Sequence, residues 1–301
     1  MTGPRFLGLD LGGTNVKTVV LESGEGGYRE VASATAPTLA QRGPEAVVAR
    51  LVELGREAVK THGPVARAGL GVPGLFDPAT GRAVLIPNLP GPWPGQPLRE
   101  PLAAGLGVPV TLVNDARAFT LAEARMGAGR GCRTLVGVTL GTGVGGGLVV
   151  DGRLHLGAWG VAGELGHQTV LPDGPRCGCG NRGCVEALAK GEALAALAGR
   201  PTPEDVFAGV REGDRRCREA VATVAGYLGI ALANLVTVLG PERIVVGGGI
   251  ATAGELILGP IREAIRRRLS LVPPDEVVVV GAALGPTAGA IGAALAAAEG
   301  L

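Results

Sequence analysis

The chain has almost no charge surplus: 28 Lys and Arg stand against 27 Asp and Glu, a formal +1 over 301 residues. Without an excess of either sign, no long-range field draws it to nucleic acid or to an anionic membrane surface. Lysine is nearly absent, with Lys17, Lys60 and Lys190 the only ones among the 28 basic residues. Asn, Gln and Met are scarce as well, a bias that a GC-rich genome and heat adaptation both produce. The opening stretch MTGPRFLGLDLGGT lacks the apolar run of a secretory leader, so the expectation is a cytoplasmic protein. One uncharged segment, Val221 to Gly240, is long enough to span a bilayer. Its Thr223, Tyr227, Asn234 and Thr237, its glycines and its exit through Pro241 into a strand suit a buried helix of an α/β core better. Neither a membrane nor a nucleic acid is expected as a partner.

What remains is concentrated. Of five asparagines, Asn15, Asn88, Asn114 and Asn181 fall in stretches that stand out on other grounds. The 53 glycines follow no collagen period and cluster between apolar runs, as tight strand–turn connections do. Three of the five cysteines, Cys177, Cys179 and Cys184, lie in Glu164–Glu186, ELGHQTVLPDGPRCGCGNRGCVE, together with His167. Four N/S donors suit a tetrahedral ion such as Zn²⁺, and the glycines let the backbone wrap around it. The alternatives are small buried thiols, or a disulfide with one cysteine left over. Glu164 and Glu186 bracket the loop, so a metal clip would fix two carboxylates and support a ligand pocket while staying closed to chemistry.

The N-terminal Phe6–Asp10 strand, the Gly12-Gly13-Thr14 tip and the Val16–Leu21 strand read as a hairpin. A strand leading into a helix, with GxGxxG or GxxxxGK[ST], is not what this tip offers. Its backbone N–H groups suit a phosphate, with Thr14 adding a hydroxyl, Lys17 a charge and Asp10 a water-mediated hold on Mg²⁺; an ordinary turn is the plainer alternative. LGLDLGGTNVKTVVLE (Leu7–Glu22) returns as VGVTLGTGVGGGLVVDG (Val136–Gly152), which suggests an internally duplicated fold. Two such tips across a cleft, the second at Gly141-Thr142-Gly143, would hold a nucleotide's polyphosphate from both sides.

Between the two hairpins the apolar period predicts a helix over 44–61 and a strand over 68–72, ending in the sharp Gly71–Gly74 loop. Asn88 and Trp93, in a proline-rich loop, either line a polar pocket or pack the loop. A strand over 109–113 stops at Asn114-Asp115, where a helix to about Met126 begins. Asn114 suits its N-cap, and a carboxylate beyond a strand's carboxyl end, Asp115, is well placed for catalysis; both could equally serve only as caps. After the cysteine loop the chain reads as helical to about Leu239. A strand over 243–246 then runs into Gly247-Gly248-Gly249, which permits close approach of a flat ligand such as adenine or is merely a tight connection, and a helix follows. A helix over 260–269, a strand over 277–280 and an Ala-rich helix over 286–299 complete the chain.

Taken together, DLGGTNVK (Asp10–Lys17), GLGVPG (Gly69–Gly74), NDA (Asn114–Ala116), LGTGVGGG (Leu140–Gly147), ELGH (Glu164–His167) and CGCGNRGCVE (Cys177–Glu186) resemble the ROK family over essentially the whole chain. That family holds bacterial sugar kinases and sugar-responsive repressors, and the chain is most similar to its glucose-phosphorylating members. The resemblance implies an α/β, duplicated actin/hexokinase-like (ribonuclease H-like) fold of two lobes with a cleft. Residues 1–113 would form the smaller lobe, residues 114–285 the larger one with the zinc loop at 164–186, and the helix at about 286–301 would pack back on the first. It implies ATP-dependent phosphorylation of the 6-hydroxyl of glucose, or of another hexose or N-acetylhexosamine, with Asp115 as general base. Gly74, Asn88, Asn114, Glu164, His167 and Glu186 would contact the sugar, with His167 using its other ring nitrogen on zinc beside Cys177, Cys179 and Cys184. Asp10, Gly12, Gly13, Thr14, Asn15, Lys17, Gly141, Thr142, Gly143, Gly248 and Gly249 would bind the nucleotide with Mg²⁺. The family's repressors carry a helix-turn-helix before the first hairpin, which here opens at residue 8, so an enzyme is expected, as a dimer or tetramer.

Overall fold

In the computed structural model, which describes residues 3–301, the chain forms two compact units, Met1–Ala122 with Leu284–Leu301, and Glu123–Ala283. The first begins with strands β1 (Arg5–Leu11), β2 (Asn15–Gly24) and β3 (Gly27–Pro37). Helix α1 (Pro44–His62), β4 (Arg67–Val72), the small hairpin β5 (Leu75–Asp77) and β6 (Arg82–Leu85), α2 (Arg99–Leu106) and β7 (Val110–Asn114) follow. The sheet order is β3-β2-β1-β4-β7. β2 runs antiparallel to both neighbours, while β1, β4 and β7 run parallel. β1 and β4 are buried along nearly their whole length, which is why RFLGLDL and RAGLGV read as apolar runs without alternation. Asp10 pairs with Gly71 and Val72 with Asn114, so the carboxyl ends of the three parallel strands share one edge.

Helix α3 (Asp115–Met126) starts where β7 stops. Asn114 Oδ1 accepts from the N–H groups of Ala116 at 3.1 Å and Arg117 at 3.2 Å, the N-cap role its position suggests. The division between units falls inside this helix, between Ala122 and Glu123, rather than at Val113. The capped helix begins at the end of β7 and carries the chain from the first unit into the second.

The second unit contains β8 (Leu135–Leu140), β9 (Val144–Val150) and β10 (Arg153–Leu154), then helices α4 (Val185–Ala189), α5 (Gly191–Ala198), α6 (Pro203–Glu212) and α7 (Arg215–Leu239). β11 (Arg243–Gly247), α8 (Glu255–Arg266) and β12 (Val278–Gly281) close it. Its sheet order, β10-β9-β8-β11-β12, repeats the first: an antiparallel meander, then two strands parallel to its first member. The repeat foreseen in the two hairpins is thus a repeat of whole sheets. The run expected to be helical to Leu239 is four helices, parted at an extended Lys190 and at the Gly199 and Gly213 caps. The helix expected over 260–269 begins earlier, at Glu255, and takes Pro260 inside it. Its buried Ile257, Leu258, Ile261, Ala264 and Ile265 set the period before the proline is reached. Between Gly249 and α8 lies a 3₁₀ turn, Ile250–Ala253.

By length and composition α7 could cross a membrane, and half of its most apolar window is buried. Val221, Val224, Leu228, Leu232 and Val236 lie in the core of the second unit. The last helix, α9 (Ala288–Glu299), belongs to the first unit and lies backbone-close on its strands. A Cβ on Gly8 would fall 1.8 Å from the Ala290 carbonyl oxygen, and one on Gly69 1.9 Å from that of Ala293. Only glycine permits that approach.

Candidate active site

At the carboxyl edge of the first sheet, the hairpin closes with the Gly12 N–H donating to the Asn15 carbonyl at 3.0 Å. Gly13, Thr14 and Asn15 are exposed at its tip. Asn88, more than seventy residues on by number, places its carbonyl oxygen 3.1 Å from where a Gly13 Cβ would be. The far side of the tip is held by a residue without a sequence signal, Thr38. Its hydroxyl donates to the Gly12 carbonyl at 2.7 Å, and its N–H to the Thr14 carbonyl at 2.9 Å.

Asp10 pairs across the strands with Lys17, carboxylate to ammonium at 3.7 Å. Burial pushes the Asp10 carboxyl above its usual 3.8, and Lys17 opposes that only in part. Gly71 and Gly289 leave room for it: a Cβ on Gly289 would lie 2.7 Å from the Asp10 carboxyl carbon. A carboxylate only 15% exposed, with one cation at hand, suits a second positive charge nearby.

Gly74 takes φ +132° against the Leu85 carbonyl, and its own carbonyl accepts from Asn114 Nδ2 at 3.2 Å. Asn114 thus spends one side-chain atom capping α3 and the other fixing the Gly74 loop. Asp115, half-buried at the start of α3, accepts from the Ala116 N–H at 2.8 Å. Trp93 is 1% exposed within the first unit's core and donates to the Pro90 carbonyl at 3.2 Å. Its part in the proline-rich loop is packing.

In the second unit the Gly141–Gly143 tip is held by Glu186. Glu186 Oε2 accepts from the Val144 N–H at 3.0 Å and lies 2.5 Å from where a Gly143 Cβ would be. Gly141 accepts from the Gly191 N–H at 2.8 Å. Gly247 pairs with Thr139 in the sheet, and Gly248, at φ +88°, lies against the Leu140 backbone. The glycine tip after β8 and the glycine run after β11 therefore adjoin at one sheet edge. Gly249 caps the 3₁₀ turn, its carbonyl accepting from the Thr252 hydroxyl at 2.6 Å.

The cysteine loop brings together what its spacing suggested. Ligand atoms of His167, Cys177, Cys179 and Cys184 lie within 4.8 Å of one another. His167 Nδ1 is 3.6 Å from Cys177 Sγ, and Cys179 Sγ is 3.7 Å from Cys184 Sγ. A tetrahedron with zinc–sulfur bonds of about 2.3 Å has edges of about 3.8 Å, so the donor set fits the ion. All five cysteines are free thiols, which removes the disulfide alternative. Burial pushes Cys177 up and Cys184 up to about 12, while hydrogen bonding from the Asn181 backbone holds Cys179 down. Asn181 also braces the loop, its Nδ2 donating to the Thr169 hydroxyl at 3.1 Å. Glu164 Oε2 stands 3.9 Å from His167 Nε2, and Glu186 Oε1 stands 3.9 Å from Cys177 Sγ. The two carboxylates thus flank the four donors. Leading into Glu164, Trp159 is 83% exposed.

A duplicated α/β sheet, each copy with a glycine-tipped hairpin, defines the actin/hexokinase-like class, and a His/Cys₃ loop set into the second copy narrows it. Residues 6–299 match the ROK family, to which the chain belongs. It is 38% identical to the glucokinase of Thermotoga maritima over 96% of both chains. Among solved structures it is similar to the ROK hexokinase of Thermus thermophilus, at 38% identity and TM-score 0.88 over 98% of both chains. It is also similar to a ROK glucokinase from Streptomyces griseus, crystallised with glucose and AMPPNP, at 32% identity and TM-score 0.82 over 98% of this chain and 99% of that one.

Proposed function

We propose that the protein is an ATP-dependent hexose kinase that phosphorylates the 6-hydroxyl of glucose. The observation that carries this reading lies within the first unit: three parallel strands deliver the Gly12–Thr14 tip, the Gly74 loop and Asn114-Asp115 to one sheet edge. Phosphoryl transfer asks chiefly for positioning and charge neutralisation. Asp115 takes the proton of the sugar's primary hydroxyl as that oxygen attacks the γ-phosphorus. The new O–P bond forms as the bond to the β–γ bridging oxygen breaks, and ADP leaves. Asn114 and Gly74 set the position of Asp115 and of the loop beside the reacting hydroxyl, with Asn88 bordering the tip. In the first unit Gly12, Gly13, Thr14 and Asn15 offer donors to phosphate, with Lys17 adding charge. Mg²⁺, when bound, neutralises phosphate charge, and Asp10 is the residue that would hold its hydration shell.

In the second unit Gly141, Thr142 and Gly143 offer a further phosphate turn, and Gly248 and Gly249 leave room for a flat base. Glu164, His167 and Glu186 are the proposed contacts to ring hydroxyls, each carboxylate able to accept two hydrogen bonds from a diol. Zinc, when bound, supplies no chemistry to the sugar; it holds His167 in one tautomer and orientation. The reading includes a cytoplasmic enzyme that assembles as a dimer or tetramer.

The test is a coupled assay of ADP release with MgATP over hexoses and N-acetylhexosamines. The best specificity constant on glucose supports the proposal. Turnover confined to another sugar keeps the reaction and moves the substrate. No turnover on any sugar overturns the reading.

A further inference from the structure

Thr38 directly follows β3 and is fully buried, yet none of its local sequence, APTLAQ, carries a phosphate or cap signature. Both of its hydrogen bonds go to the first glycine tip. The hydroxyl takes the Gly12 carbonyl and the N–H takes the Thr14 carbonyl, so the peptide oxygens before and after the two tip residues are engaged inward. Among the described residues, the N–H groups of Gly13 and Thr14 have no partner. A carbonyl pinned on one side of a turn leaves the neighbouring N–H groups to point the other way, the arrangement that makes an anion-binding concavity. The next residue adds an independent sign. Leu39 sits at φ 57°, one of two non-glycine residues in the left-handed region among those described. An apolar, unbranched-at-Cβ residue gains nothing there by itself, and such strain persists where the surroundings over-determine the backbone. Leu39 turns the chain out of β3 and into the 3₁₀ turn Ala40–Arg42, whose Arg42 N–H donates back to the Leu39 carbonyl at 3.0 Å. That turn is what presents Thr38 to the hairpin.

We infer that Thr38 is a positioning residue for the phosphate donor: it holds the Gly12–Thr14 tip in the one shape whose free N–H groups face the nucleotide's phosphates. This rests on the kinase reading and adds a residue to it. Thr38 touches neither substrate and its loss leaves the base, the sugar contacts and the metal loop in place. Its effect is confined to the donor side.

The experiment compares wild type, Thr38→Val and Thr38→Ser by calorimetric binding of AMPPNP and by steady-state kinetics, with a thermal melt of each. Valine keeps the shape and removes one hydrogen bond, so AMPPNP affinity is expected to fall about tenfold. The KM for ATP should rise in step, the sugar KM should stay within twofold, and serine should restore both. Unchanged AMPPNP affinity in a folded Thr38→Val protein overturns the inference. So does an equal rise in both KM values, or a loss that serine fails to rescue. Failure of wild type itself to bind AMPPNP counts against the kinase reading, and is distinguished from the first outcome by the wild-type titration.

Discussion

At the scale of single residues, Asp115 and Asp10 are asked to do opposite things with a proton. Asp115→Asn keeps an oxygen for the Ala116 N–H and leaves the Asn114 cap intact, so the variant should fold. Its kcat should drop at least about 10²-fold while sugar affinity, measured by calorimetry, stays near wild type. Near-normal turnover would remove Asp115 from the role of base. For Asp10 the sign follows from burial, which raises its carboxyl above 3.8 in the folded chain. A raised acid favours its neutral form, so the stability it contributes is complete below pH 3.8 and is lost as pH rises through the folded value. Asp10→Asn should therefore melt higher than wild type near neutral pH, with the gap closing toward pH 4, and should lose activity by losing the negative charge. A constant gap across that range would contradict the burial argument. The sequence exposed both aspartates because each sits where an apolar run meets a polar motif. Thr38 gave no such sign, since its partners are two backbone carbonyls of the tip between β1 and β2, more than twenty residues earlier.

Among the elements, the metal loop was legible because its donors are close in sequence and their chemistry is narrow. What it holds was not, because the Glu186–Val144 bond joins residues 42 apart. Cys179→Ser should abolish zinc, measured by atomic absorption against one ion per wild-type chain. Sugar affinity should fall with it, by at least about tenfold. Zinc lost with glucose affinity retained would show that the loop does not organise Glu164 and Glu186. The elements that went unforeseen share a cause. β3 is exposed along most of GYREVASATAP, so no alternation of apolar residues marks it. Helix α2 buries only Leu102, too little for a helical period. β5 and β6 are three and four residues long, below the length at which a period of two can be read.

For the molecule as a whole, the duplication was visible in two hairpins, and the structure extends it to two sheets of identical order. The first unit is assembled from both ends of the chain, so α9 must dock on β1 and β4 after everything between has been made. Contacts that distant in sequence make for slow folding. They also make the docking surface intolerant: Gly69→Ala would set a methyl 1.9 Å from the Ala293 carbonyl oxygen. That substitution should cost about 3 kcal/mol or more, read as a lowered Tm by calorimetry, and an unchanged Tm would mean that α9 is not so closely seated. Glu186 has a consequence of another kind. One of its oxygens grips the Gly143 turn and the other lies beside the thiol of Cys177, so whatever reorients that carboxylate acts on both neighbours at once. On the proposed roles this makes sugar and nucleotide thermodynamically linked ligands. A sugar that tightens AMPPNP by a given factor must itself be tightened by AMPPNP by the same factor, and one side of that cycle, measured, fixes the other.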